Sequence, residues 1–188
     1  MVALREQFQR RAARVDPKRL VFVDESGANT AMTRSRARAP RGQRAVGSAP
    51  QGHWKTTTLL GALRLSGPVA GVTVDGPTDR DVFRLFVTDA LAPALRKGDV
   101  VVWDNLPAHK AAGVTRTLAA RGARLLPLPP YSPDFSPIEP EWSKMKQILR
   151  TAEARTAETL GQAAAQAFAS VTAKDARGWF GKCGYCVR

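Results

Sequence analysis

The sequence predicts an α/β domain built on one mixed sheet, an antiparallel meander joined to parallel strands and flanked by helices. Three observations predict it. Short apolar, β-branched runs of strand length recur along the chain. The early ones follow one another across a Gly-Pro turn, as a meander does. From about residue 79 onward, helical periodicity alternates with strands, the order that parallel crossovers require. The 188 residues suit a single domain with an ordinary core, and 44% apolar with 24% charged residues is a globular composition. No stretch reaches the roughly 18 uncharged apolar residues of a membrane-spanning helix, so no membrane role is expected. The N-terminal MVALREQFQRR has no apolar signal core, which makes the cytoplasm the expected location.

Residues 1–19 are polar and basic and read as a short helix or linker ahead of a domain spanning 20–188. Leu20-Val21-Phe22-Val23 is a strand that stops at Asp24-Glu25-Ser26-Gly27. Residues 30–38 alternate in character and suggest a second, edge-like strand. Residues 54–65 and 69–74 are further strands, with Ser66-Gly67-Pro68 as their turn. The period then changes. Thr78 is the expected N-cap of a helix over about 79–96, whose apolar face includes Val82, Phe83, Phe86 and Val87, and Gly98 ends it. Val100-Val101-Val102-Trp103 is a buried strand ending at Asp104. A helix over about 108–121 ends at Gly122, and 124–128 is another strand. Five prolines in 127–137 exclude extended regular structure there. Pro137 opens a helix with Ile138, Trp142, Met145 and Leu149 as its apolar stripe. An Ala-rich helix covers about 156–172, and a glycine-rich, aromatic tail follows.

The formal charge is +13, and the acids that would offset it are unevenly spread. None lies between Glu25 and Asp75, an interval that holds Arg34, Arg36, Arg38, Arg41, Arg44, Lys55 and Arg64. A second acid-free interval, 105–133, holds Lys110, Arg116, Arg121 and Arg124. Guanidinium groups grip phosphate oxygens in a bidentate fork, so the cluster at 34–44 points to a polyanion, most simply nucleic acid.

Two apolar strands end alike, LVFV at Asp24 and VVVW at Asp104. A carboxylate at the carboxyl end of a buried strand sits on the rim where open α/β sheets bind ligands. If the strands are parallel neighbours the two acids converge, and like charges at close range call for a cation between them. Oxygen ligands of this kind suit Mg²⁺ or Mn²⁺. A third acid would complete a two-ion site. Glu139 and Glu141 both flank the apolar stripe of their helix and point about 200° apart, so geometry leaves the choice open. Plain structural roles compete for each acid: a strand-end turn for Asp24, an Asx turn for Asp104-Asn105, and a capping box of Glu139 with Ser136.

At these residues the chain resembles the DDE transposases of the mariner superfamily, in their bacterial insertion-sequence branch. The strings are FVDESG (22–27), VVWDNLPAH (101–109) and LPPYSPDFSPIEPEWSKMK (128–146), with ARGWFGKCGY (176–185) similar in the tail. The resemblance implies a ribonuclease-H-like fold and places the metal-binding catalytic triad at Asp24, Asp104 and Glu139. The thirty-four residues between Asp104 and Glu139 are the spacing of one subtype and choose Glu139 over Glu141. It further implies DNA cleavage at transposon ends and strand transfer with Mg²⁺ or Mn²⁺, two ions in all. The expected partners are transposon-end and target DNA, a second copy of the chain, and a separately encoded helix-turn-helix half; the expected location is the nucleoid. The expected DNA contacts are Arg34, Arg36, Arg38, Arg41, Arg44, Lys55, Lys110, Lys144 and Lys146. Asn105 and His109 are expected to support the scissile phosphate, and Asp134 to fix the proline-rich loop. A ribonuclease-H-like nuclease or resolvase, and an inactive DNA-binding remnant, are the alternatives. Cys183 and Cys186 supply two thiols, where a structural zinc needs four ligands.

Overall fold

The computed structural model describes residues 2–52, 54–104 and 113–187. Five strands form one sheet in the order β3-β2-β1-β4-β5. β1 (Leu20–Asn29) and β2 (Thr56–Arg64) pair antiparallel, as do β2 and β3 (Gly67–Asp75). β4 (Val100–Trp103) lies parallel to β1 on its other side, and β5 (Arg124–Pro127) lies parallel to β4. This is the expected meander followed by parallel strands.

The alternating strand faces feed two cores. One face of the sheet, with Phe22, Leu59, Leu63 and Val102, is covered by α1 (Val2–Ala12), α5 (Ile138–Ala152), α6 (Ala157–Ala169) and α7 (Ala173–Lys182). The opposite face, with Val21, Val23, Leu60 and Val101, is covered by α2 (Arg80–Leu85), the π-helical turn Phe86–Leu91 that carries it into α3 (Ala92–Ala94), and α4 (Val114–Ala120). All four residues of β4 are buried, as a central parallel strand requires. The stripe Ile138, Trp142, Met145 and Leu149 of α5 is buried as its spacing predicts. Among the described residues no helix is long and apolar enough to cross a membrane.

Several local expectations are corrected. β1 does not stop at Asp24: parallel pairing with β4 ends at Phe22, but antiparallel pairing with β2 continues to Asn29, so a second partner holds the strand extended. Residues 30–38 form no strand. They run as exposed or half-exposed coil, because no neighbouring edge is there to complete a ladder. Asp79, not Thr78, caps α2, its carboxylate accepting from the N–H groups of Asp81 and Val82. The Ala-rich helix expected over about 156–172 ends at Ala169, and a capping box between Thr172 and Asp175 starts α7, an element the sequence reading did not draw. Arg64, counted in the first basic interval, is buried: its guanidinium donates to both oxygens of Asp99 at 3.1 and 2.9 Å and to the Ala94 carbonyl. That cation therefore serves the fold.

Candidate active site

Asp24, Asp104 and Glu139 come from three separate segments and line one cavity of about 400 Å³. Asp24 sits within β1 on the face that packs against α5. Asp104 directly follows β4, the parallel neighbour of β1. Glu139 stands in the first turn of α5, where a negative charge also complements the helix dipole. The proline-rich segment 127–137 forms the remaining wall, with Leu128, Tyr131, Ser132 and Ser136 on the cavity.

Asp24 is held in place by a contact that links the ends of the chain. The Trp142 indole Nε1 donates to Asp24 Oδ2 at 3.0 Å. The ring has room because β2 carries glycine opposite Asp24 in the register: a Cβ on Gly61 would lie 2.7 Å from the Trp142 ring. Gly71, its partner on β3, leaves the same kind of room for Phe168, which meets Trp142 edge to face. Burial pushes the Asp24 carboxyl up to about 6, and the charges of Glu139 and Asp104 push the same way, against hydrogen bonds from the Glu25 backbone and Trp142 that favour the ionised form. Asp24 therefore feels both other acids, which is the electrostatic sign of a shared site.

The competing structural roles fare differently. Asp24 is inside a paired strand, so it forms no strand-end turn. α5 has no side-chain cap, so Glu139 and Ser136 form no capping box. Glu141 points the other way, into the core. It is fully buried, neither carboxyl oxygen has a hydrogen-bond partner, and burial pushes it up to about 8. Burial therefore favours its neutral form, and Glu139 is the acid of this helix that faces the cavity. Helical periodicity placed both acids beside the stripe and the family resemblance chose Glu139; packing supplies the physical difference between them.

The proline-rich wall is pinned from behind by α1. Arg5 donates to Asp134 at 3.0 and 2.6 Å and to Ser132 Oγ at 2.8 Å, and its guanidinium lies 4.2 Å from the centre of the Phe135 ring. Phe8 stacks on Phe135, and the Tyr185 hydroxyl donates to the Phe135 carbonyl at 2.7 Å. Asp134, the residue expected to fix this loop, has Arg5 as its partner. Trp142, Arg5 and Tyr131 are the residues sequence reading did not assign to the site. Tyr131 sits next to the Pro129-Pro130 pair, a signal that something holds this loop; nothing local in the sequence pairs Arg5 with it.

The expected DNA-contacting residues divide into three groups. Arg34, Arg36, Arg38, Arg41, Arg44 and Lys55 are all exposed, in the long connection between β1 and β2. Lys146 faces a neighbouring cavity with Arg150. Lys144 is occupied elsewhere, donating to the Ser170 carbonyl and to Asp175, each at 2.8 Å, which ties α5 to the start of α7. Asn105, His109 and Lys110 lie outside the described residues. Cys183 is half-buried, burial pushes its thiol up to about 11, and Cys186 is exposed. Among the described residues no three His, Cys, Asp or Glu side chains stand where they would hold one ion together. The three acids share a cavity rather than a point.

A five-stranded mixed sheet with this order, helices on both faces and three carboxylates around the end of its central parallel strands defines a ribonuclease-H-like nuclease architecture. The DDE superfamily endonuclease family matches residues 19–161, and the chain belongs to that family. Among solved structures it is similar to the Mos1 transposase paired-end complex with left transposon end, at TM-score 0.75 and 22% identity over 97% of this chain and 57% of that one. A Mos1 mariner paired-end complex with Mn matches at TM-score 0.73 and 21% identity, covering 97% and 57%. The Mos1 catalytic domain with raltegravir and Mg matches at TM-score 0.63 and 18% identity, covering 97% and 85%. The chain thus spans little more than half the length of the paired-end-complex chains and most of the catalytic-domain chain. No curated protein sequence matches it.

Proposed function

We propose that the chain is the catalytic domain of an insertion-sequence transposase, cutting DNA at transposon ends and joining the freed end to target DNA with the help of Mg²⁺ or Mn²⁺. The observation that carries this reading is the shared cavity of Asp24, Asp104 and Glu139. Its donors are all carboxylate oxygens, the set that suits a hard divalent cation, and the acidity of Asp24 already responds to the other two. When bound, divalent ions supply positive charge to the phosphate and make a coordinated water a stronger nucleophile.

The chain's own residues do the rest. Asp24, Asp104 and Glu139 hold the ions, and Trp142 fixes the orientation of Asp24. The pinned wall at 129–136 shapes the cleft beside the phosphate. In cleavage, a water oxygen forms a new bond to phosphorus as the bond to the leaving sugar oxygen breaks, and that oxygen takes up a proton. In strand transfer, a DNA 3′-hydroxyl replaces water. The exposed arginines of the β1–β2 connection neutralise phosphates on either side of the cut. Mos1 structures solved with Mg or Mn, and in complex with transposon-end DNA, support the metal and the substrate by analogy. End recognition falls to a separately encoded helix-turn-helix half, the working assembly is a homodimer on DNA, and the site of action is the nucleoid in the cytoplasm.

The test is nicking of supercoiled plasmid by the purified chain with Mg²⁺ or Mn²⁺. Asp104→Asn is expected to abolish nicking and leave the melting curve unchanged. Equal nicking by that variant sinks the assignment. Cleavage of an RNA–DNA hybrid without any joining of DNA ends would replace transposition by a ribonuclease role.

A further inference from the structure

Helix α5 presents a second stripe besides its buried one. At 3.6 residues per turn, Glu139, Lys146 and Arg150 fall within about 20° of a single line along the helix. Lys146 and Arg150 line another cavity, of about 380 Å³, together with Gly27 and Asn29 from the end of β1 and with Trp54. The spacing agrees on both elements. Along α5, Lys146 and Arg150 lie about 10 and 16 Å beyond Glu139. Along β1, Gly27 and Asn29 lie about 10 and 16 Å beyond Asp24. The acidic cavity and the basic one therefore follow one another along β1 and α5, separate in lining, and the path that joins them is the trough.

The ends of the trough carry aromatic rings. Among the described residues the two exposed aromatic side chains are Tyr131, 89% exposed, and Trp54, 56% exposed. Tyr131 lines the acidic cavity and Trp54 the basic one. Tyr131 holds φ at 53°, the left-handed region that residues with a side chain rarely adopt. Its neighbours Ser132 and Phe135 are buried and pinned by Arg5 and Phe8, so the loop presents this ring to solvent by construction. Unlike Lys144, neither Lys146 nor Arg150 makes an ion pair among the described residues. Cations that follow a backbone, with aromatic faces at each end, are the makings of a single-strand site: only unpaired bases offer their faces for stacking.

We propose that the trough guides one unpaired DNA strand, with Tyr131 stacking a base beside the scissile phosphate, Lys146 and Arg150 holding the phosphates that follow, and Trp54 stacking a base at the far end. The trough spans about five stacked nucleotides at 3.4 Å each. The inference rests on the transposase reading, and it adds that the strand is separated from its complement next to the cut.

Binding of a fluorescein-labelled 15-nucleotide single strand to the full chain, followed by anisotropy across a salt series, tests it. Lys146→Gln with Arg150→Gln is expected to lower the slope of log K against log salt by about 1.4, two single-strand phosphate contacts. Trp54→Ala and Tyr131→Gly are each expected to weaken binding roughly 5- to 150-fold with the slope unchanged, the signature of lost stacking. Glycine accommodates the left-handed backbone, so a loss in Tyr131→Gly cannot come from strain; Tyr131→Phe keeps the stacking face and is expected to bind within about twofold of wild type. Arg116→Gln, on α4 across the sheet, is the control and is expected to bind as wild type does. Wild-type affinity and slope in the trough variants would overturn the proposal, as would an equal loss on fully paired duplex, which would put a duplex in the trough. Nicking and its loss in Asp104→Asn are read separately. A nicking enzyme with normal trough variants loses only this inference. A chain that does not nick but shows these binding losses keeps the trough and loses the transposase reading.

Discussion

Two irregular segments line the two cavities beside α5, the proline-rich wall the acidic one and the β1–β2 connection the basic one, and they are built on opposite terms. The proline-rich wall at 127–137 has no long regular element, yet Arg5, Phe8 and Tyr185 reach it from the far ends of the chain and engage its side chains and backbone. The connection at 30–55 is of the same irregular kind, but its residues from 34 to 44 are all exposed, and its five arginines there make no ion pair among the described residues. The difference lies in where each segment's polar groups find partners. In the wall they are satisfied within the fold, so the wall belongs to the rigid site. In the connection they are open to solvent, as the proposed contacts with DNA phosphates require.

The sharpest way to break this comparison is to neutralise the open segment. Replacing Arg34, Arg36, Arg38, Arg41 and Arg44 by Gln is expected to leave the melting temperature unchanged and to remove up to about 4.5 from the salt slope of duplex binding. Between 50 and 200 mM salt the wild type should then lose up to roughly 500-fold more affinity than the variant. A drop in melting temperature would show that the segment is part of the fold after all.

The pinned wall should respond in the opposite way. Phe135→Ala removes a buried ring stacked on Phe8 and is expected to cost about 3–5 kcal/mol in urea unfolding, and to cut nicking through displacement of the wall. A stability change below about 1 kcal/mol would mean that the wall is not held as described.

The smallest effect belongs to the Arg5–Asp134 clamp, whose partners are partly exposed. Its hydrogen bonds and charge hold the Asp134 carboxyl below the usual range. A depressed carboxylate contributes stability above its unfolded pKa and loses it as pH falls through the folded one. Arg5→Ala is therefore expected to lower the melting temperature slightly at pH 7, with the gap to wild type closing in acid. Melting temperatures from pH 7 to pH 3 check this, and a gap that stays constant would show that the link is not ionic.

Much of this was legible in local pattern. The apolar runs located all five strands of the sheet, and the stripe at Ile138, Trp142, Met145 and Leu149 gave α5 its buried face. Gly98 and Gly122 both take positive φ at the helix ends where they were expected. Where reading by pattern failed, a distant partner decided. Asp24-Glu25-Ser26-Gly27 looks like a strand end, but β2 keeps it extended. The alternation at 30–38 looks like a strand, but no edge receives it. Thr172 starts a helix in a segment to which pattern gave no separate element.

The sequence by itself determined the α/β order, the excess of positive charge beside the acids, and the placement of Asp104 directly after a buried strand. These depend on period, composition and neighbours along the chain, which are local properties. The resemblance chose Glu139 over Glu141, but only the tertiary structure showed the physical reason, Glu139 lining the cavity while Glu141 is buried in the core. It alone showed that Trp142 orients Asp24 across 118 residues, in space that Gly61 leaves free, and that α1 braces the wall of the site. Periodicity says which face of a helix is apolar. Which strand, ring or cation meets that face is set by sheet register and packing between segments far apart in the chain, and no local pattern encodes those distances.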